Sequence, residues 1–394
     1  METLQPTLKR GRDVWDPIRM PESEFQKRVE KVKKEMQKRR INVLLLYGTG
    51  QNDYGHPCYI SHYLTKMPQG AMAVITAKGD VALICEGFAR DAALIRTTTW
   101  VKDIRSSEDL YQKCVEYLKE KKLLSSTIGF AGLRQLMPCR QFQALSEATR
   151  RCRVVDAEDL VKRMRMVKSE RESDQIRRSA HIINQAFDLI SHASYSASGL
   201  NERILGAGVG RLAYLEGAED VRMLIGKPME ANWSLRPPED IQISDGDTVI
   251  LHVTVEFERY WAEGTRTFIA KGSTLTRPGS ADAEALYERM VKGLTAGKSV
   301  SSFYKETLGK IKRTKAVCLT EYGLGDGIGL SLQELPLLTG EDKTLLKEGM
   351  CLTLRLALKD PEMGALMIGN TLHLSKSGPE LLTKDETTVS TRRP

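Results

Sequence analysis

Helical and strand periodicities alternate through the first part of the chain. Apolar positions recur at helical spacing over residues 23–40, between charged side chains. The run NVLLLY at Asn42–Tyr47 then has strand length, and two further apolar runs, Ala71–Thr76 and Val81–Cys85, flank a Lys-Gly-Asp turn. Alternating helices and strands are typical of an α/β domain. We therefore predict an α/β N-terminal domain over residues 1–158.

The pattern changes beyond this region. Helical periodicity is sustained over residues 157–193, and Ser169-x-x-Glu172 has the spacing of a capping box, which predicts that a helix begins there. Apolar runs typical of antiparallel strands follow, with two helical segments between them. The predicted strands and helices are Asp247–Phe257, Arg259–Lys271, Gly349–Leu358 and Met367–Leu374, with helices at Asp282–Leu294 and Ser301–Thr314. Residues 159–394 are predicted to form an α+β domain.

Composition narrows the class of protein. The chain has 394 residues, of which 41% are hydrophobic and 28% charged, a balance typical of globular domains and not of disordered chains. No apolar run reaches the roughly 20 residues that span a bilayer, and the first residues lack the apolar segment of a secretory signal. The seven cysteines include no Cys-x-x-Cys pair, which favours a reduced chain. We expect a cytoplasmic protein without a membrane partner.

The net charge of +8 raises the question of a nucleic-acid partner. Most basic residues alternate with acidic ones, as in ESEFQKRVEKVKKEMQKRR, a pattern typical of a solvated helix face. Aromatic residues are not interleaved with basic ones as they are on RNA-binding surfaces. We therefore predict no nucleic-acid partner, because the charge fits equally well an enzyme that attracts a small anionic substrate.

Six pieces of the sequence form a recognisable series along nearly the whole chain. The pieces are LVKRMRMVKSERESDQIRRSAHI, Gly199–Glu202, Asp245–Ile250, Gly264–Phe268, Gly325–Leu330 followed by Gln333-Glu334-x-Pro336, and Gly349–Leu354. In order and spacing they resemble the motifs of the creatinase/aminopeptidase P/prolidase family. The resemblance implies a pita-bread fold for the second domain.

The resemblance also implies a metal centre, from which this sequence departs. Peptidases of the family hold two divalent metals with two Asp, one His and two Glu, and the metals activate a bridging water. The matching positions are His252, Glu263, Asp326, Arg355 and Gly369. The guanidinium of Arg355 would repel a divalent ion, and Gly369 has no side-chain donor. We predict no metal and no other cofactor; a single ion held by the first three residues is an alternative that Arg355 opposes.

Four of the five replaced positions nevertheless keep titratable or charged side chains, which are costly to bury without a role. Creatinases share the fold and act without metal, so the resemblance implies a metal-free branch. His252 would be the general acid or base, and Glu263 and Asp326 would bind a cationic group or orient His252. Arg355 would bind a substrate carboxylate through its planar fork. Further substrate-binding candidates are Arg266, Gln333, Glu334 and Asn370.

The reaction stays open between three readings. The first is a metal-independent hydrolase or lyase that cleaves a C–N bond in a small carboxylate-bearing substrate. The second is a catalytically inactive member that binds a ligand or a peptide. The third is an Xaa-Pro aminopeptidase or prolidase-type metallopeptidase. Independently of these, Arg355, Glu263 and Asp326 could form a structural ion-pair network with no chemical role.

The segment GQNDYGHPCYISHYL is polar, aromatic and rich in glycine. It lies where N-terminal domains of the family carry a related motif. In creatinase-like dimers this domain reaches the neighbouring active site, so the resemblance implies a homodimer in which His56, Tyr59 and His62 line the site of the other subunit. The alternative is an ordinary loop with a tyrosine packed inside.

Overall fold

The structure is a computed structural model of the chain. It describes residues 14–51, 53–65, 69–87, 92–192, 200–272, 274–278, 281–314 and 316–384. The chain divides into two compact units, Met1–Arg165 and Met166–Pro394. Of the six motif pieces, Gly199 lies outside the described residues.

The first unit is built on a six-stranded mixed sheet in the order β4-β3-β2-β1-β5-β6. The pairs β1–β2 and β2–β3 are antiparallel, and the other neighbours are parallel. The strands are β1 (Val43–Thr49), β2 (Gly70–Thr76), β3 (Val81–Glu86), β4 (Asp103–Ser107), β5 (Thr127–Ala131) and β6 (Arg153–Asp156). The helices are α1 (Glu22–Lys38), α2 (Gly55–Ser61), α3 (Ala92–Ile95), α4 (Leu110–Glu120), α5 (Leu133–Leu136), α6 (Cys139–Ala148) and α7 (Glu158–Met166).

The pattern of α1 explains how it packs. Phe25, Val29, Val32 and Met36 recur at helical spacing and are buried, while most of the lysines between them are exposed. The central strand β1 is buried along its whole length, as expected for a strand covered on both faces. The predicted helix and hairpin of this region are therefore present. The predicted boundary after residue 158 and the boundary between the units both fall within α7.

The second unit is built on a nine-stranded antiparallel sheet. Its main path is β12-β11-β13-β14-β9-β8-β7, with β10 on β9 and β15 on β14. The strands are β7 (Asp220–Gly226), β8 (Thr248–Phe257), β9 (Tyr260–Lys271), β10 (Thr274–Thr276), β11 (Asp326–Gly327), β12 (Glu334–Leu337), β13 (Cys351–Asp360), β14 (Gly364–Ser375) and β15 (Gly378–Leu381). The helices are α8 (Glu170–His192), α9 (Glu202–Leu215), α10 (Ala281–Gly293) and α11 (Val300–Arg313).

Helix α8 begins where the capping box predicts. The Ser169 hydroxyl accepts a hydrogen bond from the Glu172 backbone N–H at 3.2 Å, and the Glu172 carboxylate accepts one from the Ser169 N–H at 2.9 Å. The buried stripe of the helix then packs on β8 and β9, with Ile183 and Phe187 beside Gly264. A Cβ at Gly264 would approach Phe187 to 2.8 Å, so the glycine allows this close contact.

Helices α8 and α10 pack on one face of the sheet. Because successive residues of a strand point to opposite faces, even-numbered positions of β9, β13 and β14 face the helices. The predicted strands correspond to β8, β9, β13 and β14 with ends within three residues, whereas β7, with mixed burial, was not predicted. Among the helices of the described ranges, none is long and apolar enough to cross a bilayer.

Candidate functional site

Three of the family ligand positions lie, together with Thr265, in one row across four strands. His252 of β8 is paired with Thr265 of β9, Thr265 with Gly369 of β14, and Gly369 with Arg355 of β13. Residues in direct register share a face of the sheet. The row therefore brings the first, fourth and fifth family ligand positions together on the face opposite α8 and α10.

Arg355 and Glu263 form a bidentate ion pair beside this row. The Arg355 Nε lies 2.7 Å from Glu263 Oε1, and Nη2 lies 3.0 Å from Oε2. The same Nη2 is 3.5 Å from Asp326 Oδ1. Both carboxylates are buried, and the Arg355 side chain is 18% exposed. We call His252, Glu263, Asp326 and Arg355 the site cluster.

The ion pair controls two pKa values in the site cluster. Burial alone would raise the pKa of Glu263, but the charge of Arg355, the neighbouring His252 and the hydrogen bond from Arg355 outweigh it and lower that pKa. Burial also opposes the charge of Arg355, yet Glu263 and Asp326 together raise its pKa. Arg355 is therefore a fixed cation shared by two carboxylates.

Asp326 is held by hydrogen bonds from two neighbours. The Thr353 hydroxyl donates to Oδ1 at 3.0 Å, and the Gln333 amide donates to Oδ2 at 3.0 Å. Burial raises the pKa of Asp326, and Arg355 and these donors only partly oppose the effect. Gln333 is exposed and reaches the predicted site, where it binds a carboxylate of the chain itself.

His252 lies at the partly exposed end of the row. Its Nδ1 is 2.9 Å from the Thr265 hydroxyl oxygen. Among the described residues, Nε2 has no hydrogen-bond partner. Burial lowers the pKa of His252, although Glu263 opposes this effect, and the lowered pKa favours the neutral imidazole. A neutral imidazole can either accept or donate a proton at Nε2.

Two predicted substrate-binding residues lie on the other face. Arg266 is buried and donates to the carbonyls of Gly369 (2.7 Å) and Thr383 (3.1 Å) and to Asn370 Oδ1 (2.8 Å). The Asn370 amide in turn donates to the Tyr287 hydroxyl at 3.0 Å. These contacts correct the prediction for Arg266 and Asn370: strand alternation places them under the helices, where they bind the chain itself. We call Arg266, Tyr287, Asn370 and Thr383 the back cluster.

Glu334 is also engaged within the chain. Its Oε2 lies 2.9 Å from the ammonium of Lys168, and both side chains are almost fully buried. A Cβ at Gly329 would approach both the Lys168 Cε (2.9 Å) and the Glu334 carboxylate oxygens (3.0 Å), so the glycine makes room for this pair. This ion pair anchors the segment from which Gln333 reaches Asp326. Glu334 therefore lies next to the site cluster and supports it without being part of it.

The aromatic segment of the first unit is packed inside that unit. His56 Nε2 is 2.9 Å from Glu158, the Tyr59 ring lies 4.8 Å from the Arg28 guanidinium, and His62 lies against the ring of Phe25. His56, Tyr59 and His62 are all buried. These contacts agree with the alternative of a segment packed inside, and they correct the prediction that the three side chains are presented to another subunit.

The two metals that the family resemblance implies do not fit the site cluster. Gly369 offers no donor, and Arg355 places a guanidinium against both carboxylates. No group of three or more His, Cys, Asp or Glu side chains in the described ranges is arranged to hold a metal ion. The side chains of the site cluster therefore form an internal ion-pair network beside a histidine and not a two-metal site.

Sequence reasoning missed three residues that shape the site. Thr265 binds His252, Thr353 binds Asp326, and Lys168 binds Glu334. Thr265 and Lys168 lie within motifs that resemble the family, but their partners are set by strand register and long-range packing. Alternation along β9 was the available signal: it places Glu263 and Thr265 on one face and Arg266 on the other.

Comparison with known proteins agrees with the predicted fold and family. The model of "Metallopeptidase family M24" matches residues 143–376, and that of "Creatinase/Prolidase N-terminal domain" matches residues 28–167. These matches confirm the predicted fold class, an α/β domain followed by a pita-bread domain.

Several individual proteins are similar over most of their length. The Xaa-Pro dipeptidase of Pyrococcus furiosus is 23% identical over 92% of this chain and 99% of its own, and that of Pyrococcus horikoshii is 25% identical over 70% and 78%. The X-Pro aminopeptidase structure from Thermotoga maritima superposes with a TM-score of 0.73 and 20% identity, covering 90% of this chain and 97% of its own. The names of these relatives match the peptidase alternative more closely than the metal-independent one. Since the family model spans more than half of the chain, the chain belongs to metallopeptidase family M24.

Proposed function

We propose that this chain is a metal-independent member of the family that hydrolyses a C–N bond in a small substrate at the site cluster. The observation that carries the proposal is the guanidinium of Arg355, which lies between Glu263 and Asp326 at 2.7 Å and 3.5 Å. It supplies the positive charge that the metals supply in the metallopeptidases. The proposed reaction therefore depends on side-chain acid–base groups.

The names of the relatives favour an Xaa-Pro dipeptidase, and the donor set argues against it. A divalent ion about 4 Å from a guanidinium would be repelled by about 8 kcal/mol even at an effective dielectric constant of 20. If Arg355 left the site, Glu263 would lose its hydrogen-bond donor. Gly369 has no side chain that could serve as the missing metal ligand. Xaa-Pro dipeptidase activity is therefore the less favoured candidate.

The site cluster contains groups suited to hydrolysis. In the reaction, a water oxygen bonds to the substrate carbon, one water proton passes to a base, and the C–N bond breaks as the nitrogen gains a proton. His252 is neutral, partly exposed and unpaired at Nε2 among the described residues, so it is the best placed group for proton transfer. The buried Asp326, with its raised pKa, is the second candidate.

The ion pair with Glu263 limits how Arg355 could bind a substrate carboxylate. Its Nε–Nη2 edge is occupied by Glu263, so a bidentate contact with a substrate would have to displace that carboxylate. Among the described residues, Nη1 has no hydrogen-bond partner. A substrate carboxylate would therefore receive a single hydrogen bond from Nη1.

A second candidate is a binding protein without catalysis. The observation that favours it is the hydrogen bonding of the two carboxylates, since every oxygen of Glu263 and Asp326 already accepts from a donor of the chain. Carboxylates satisfied in this way can hold a ligand-binding surface in shape without taking part in a reaction.

A ligand screen followed by turnover separates these candidates. Purified protein is screened by thermal shift against small amides, guanidino acids, betaines, amino acids and Xaa-Pro dipeptides, and each hit is tested for cleavage. The proposal expects at least one hit to be hydrolysed with a chelator present, and His252→Gln to lower turnover roughly 100- to 10,000-fold while the melting temperature is kept. Binding without cleavage supports the second candidate, and chelator-sensitive dipeptide hydrolysis contradicts both.

A further inference from the structure

Thr265 is the hydrogen-bond partner of the proposed catalytic histidine. Its side chain is 1% exposed, and its hydroxyl oxygen lies 2.9 Å from His252 Nδ1. Among the described residues, the hydroxyl has no other partner. Its surroundings therefore allow one hydrogen bond, and the direction of that bond fixes where the imidazole carries its proton.

The two directions are not equivalent. A hydroxyl has one hydrogen and two lone pairs, and a neutral imidazole has one donor and one acceptor nitrogen. If Nδ1–H donated to Thr265, the buried hydroxyl hydrogen would lack an acceptor among the described residues. If the hydroxyl donates to Nδ1, its hydrogen is satisfied and the imidazole proton lies on Nε2, at the partly exposed end of the row.

The geometry points to Thr265 as the positioning residue of the site: its hydroxyl donates to His252 Nδ1 and so holds the neutral imidazole with its proton on Nε2. His252 then meets a ligand as a hydrogen-bond donor. The role of this Nε2–H group in a reaction rests on the proposed function. In that reaction it would donate a hydrogen bond to an oxygen of the substrate as the C–N bond is attacked. Of the two proton-transfer candidates of the proposed function, His252 is then the donor and Asp326 is the group that accepts the proton of water.

The absence of a side chain at Gly369 leaves space for the Thr265 hydroxyl to contact His252. It is in direct register with Thr265, and a Cβ on residue 369 would come within 2.7 Å of the Thr265 hydroxyl oxygen and 3.0 Å of its Cβ. Any side chain there would push against the hydroxyl that binds His252. The glycine that removes a metal ligand from the family position thus also permits the contact between Thr265 and His252.

The experiment measures the tautomer of His252 directly. Protein labelled with ¹⁵N in the histidine rings is recorded by two-bond ¹H–¹⁵N NMR at a pH where the imidazoles are neutral, and the His252→Gln spectrum assigns the signal. The wild-type protein is expected to show only the Nε2–H form. An Nδ1–H form of His252 in the wild type, alone or in a mixture, would overturn the inference.

Three variants test the cause. Thr265→Ser keeps a hydroxyl and is expected to keep the Nε2–H form alone, whereas Thr265→Val removes the donor and should allow the Nδ1–H form to appear. Gly369→Ala should act in the same direction as Thr265→Val, since it crowds the hydroxyl. Melting curves establish that each variant is folded. If Thr265→Val does not fold, Gly369→Ala and the wild-type spectrum still test the role of Thr265. An unchanged Nε2–H form in both variants, when both are folded, would contradict that role.

The readout is independent of turnover. A wild-type Nε2–H form combined with no hydrolysis of any ligand would remove the proposed enzymatic function and leave the role of Thr265 standing. Conversely, hydrolysis by a protein whose His252 carries its proton on Nδ1 would keep the proposed function and remove the role of Thr265.

Discussion

The site cluster and the back cluster lie on opposite faces of the sheet of the second unit, and they differ in how many of their polar groups are hydrogen-bonded. The back cluster is buried, and its donors and acceptors bind one another or backbone carbonyls, as Arg266 does with Gly369 and Thr383. The site cluster is partly exposed and retains the Nε2 of His252 and the Nη1 of Arg355 without partners among the described residues. Completed hydrogen bonding is typical of a structural role, and remaining capacity is typical of a site that meets a ligand.

The two arginines show the difference most clearly. Burial lowers the pKa of Arg266 to about 10, although Tyr287 partly opposes this effect. Arg355 is shared by Glu263 and Asp326, and its pKa is raised in spite of burial. The type of a charged residue within a family motif is therefore not enough to assign it a chemical role. The face of the strand on which it lies and its hydrogen-bond partners determine that role.

The largest effect is expected from removing the back-cluster arginine. Arg266→Met should destabilise the protein by about 3–5 kcal/mol, because the carbonyls of Gly369 and Thr383 and the Asn370 side chain lose their buried donors. Chemical denaturation measures the change. The exposed Arg150 provides a matched control, since Arg150→Met should stay within about 0.5 kcal/mol of the wild type. A back-cluster variant as stable as this control would show that the cluster is not structural.

A smaller effect is expected at Arg355. Arg355→Met should cost about 2–3 kcal/mol at pH 7, because it leaves Glu263 and Asp326 buried beside each other without a cation, although protonation relieves part of the penalty. Turnover of any substrate found should fall even where the variant is folded. Full activity in a folded Arg355→Met protein would separate the arginine from the chemistry.

The losses of stability in Arg355→Met and Arg266→Met should depend differently on pH. In the wild type the pKa of Glu263 is lowered, so its contribution to stability is present above its ordinary value of 4.5 and is lost as the pH falls through the lowered pKa. Without Arg355, burial raises the pKa of Glu263, so Arg355→Met gains stability as the pH falls toward 4.5. The gap in melting temperature between Arg355→Met and the wild type should therefore narrow with acidification.

The corresponding gap for Arg266→Met should narrow less over the same range. The hydrogen bonds of Arg266 described above go to two backbone carbonyls and a side-chain amide oxygen, which do not titrate. Melting curves at closely spaced pH values between 7 and 4 compare the two variants directly. Parallel behaviour of both would mean that the ion pair of the site cluster is absent in solution.

The sequence was sufficient for much of the fold but not for the assignment of faces. The long strands β8, β9, β13 and β14 follow from their apolar patterns, and the start of α8 follows from Ser169 and Glu172. Arg266 was predicted to bind substrate in the same site as Glu263, although strand alternation places the two side chains on opposite faces.

Partners far apart in the chain were beyond the reach of pattern reasoning. The pairing of Arg355 with Glu263 joins β13 to β9, and that of Lys168 with Glu334 joins the start of the second unit to β12. The aromatic segment around His56 was similarly ambiguous, since its burial depends on α1, through Arg28 and Phe25, and on Glu158 of α7. Register and tertiary packing set these contacts, and local periodicity carries no information about them.

Metal binding by the purified protein distinguishes a metal-independent site from a metallopeptidase site. The protein is incubated with excess Mn²⁺, Co²⁺, Zn²⁺ or Fe²⁺ and dialysed, and bound metal is then counted by mass spectrometry and the melting temperature measured with and without chelator. Because Arg355 occupies the space between the two carboxylates and Gly369 offers no donor, we predict well under one ion per chain and no chelator-sensitive stabilisation. One or two ions bound per chain, with a melting temperature that falls on chelation, would contradict the account.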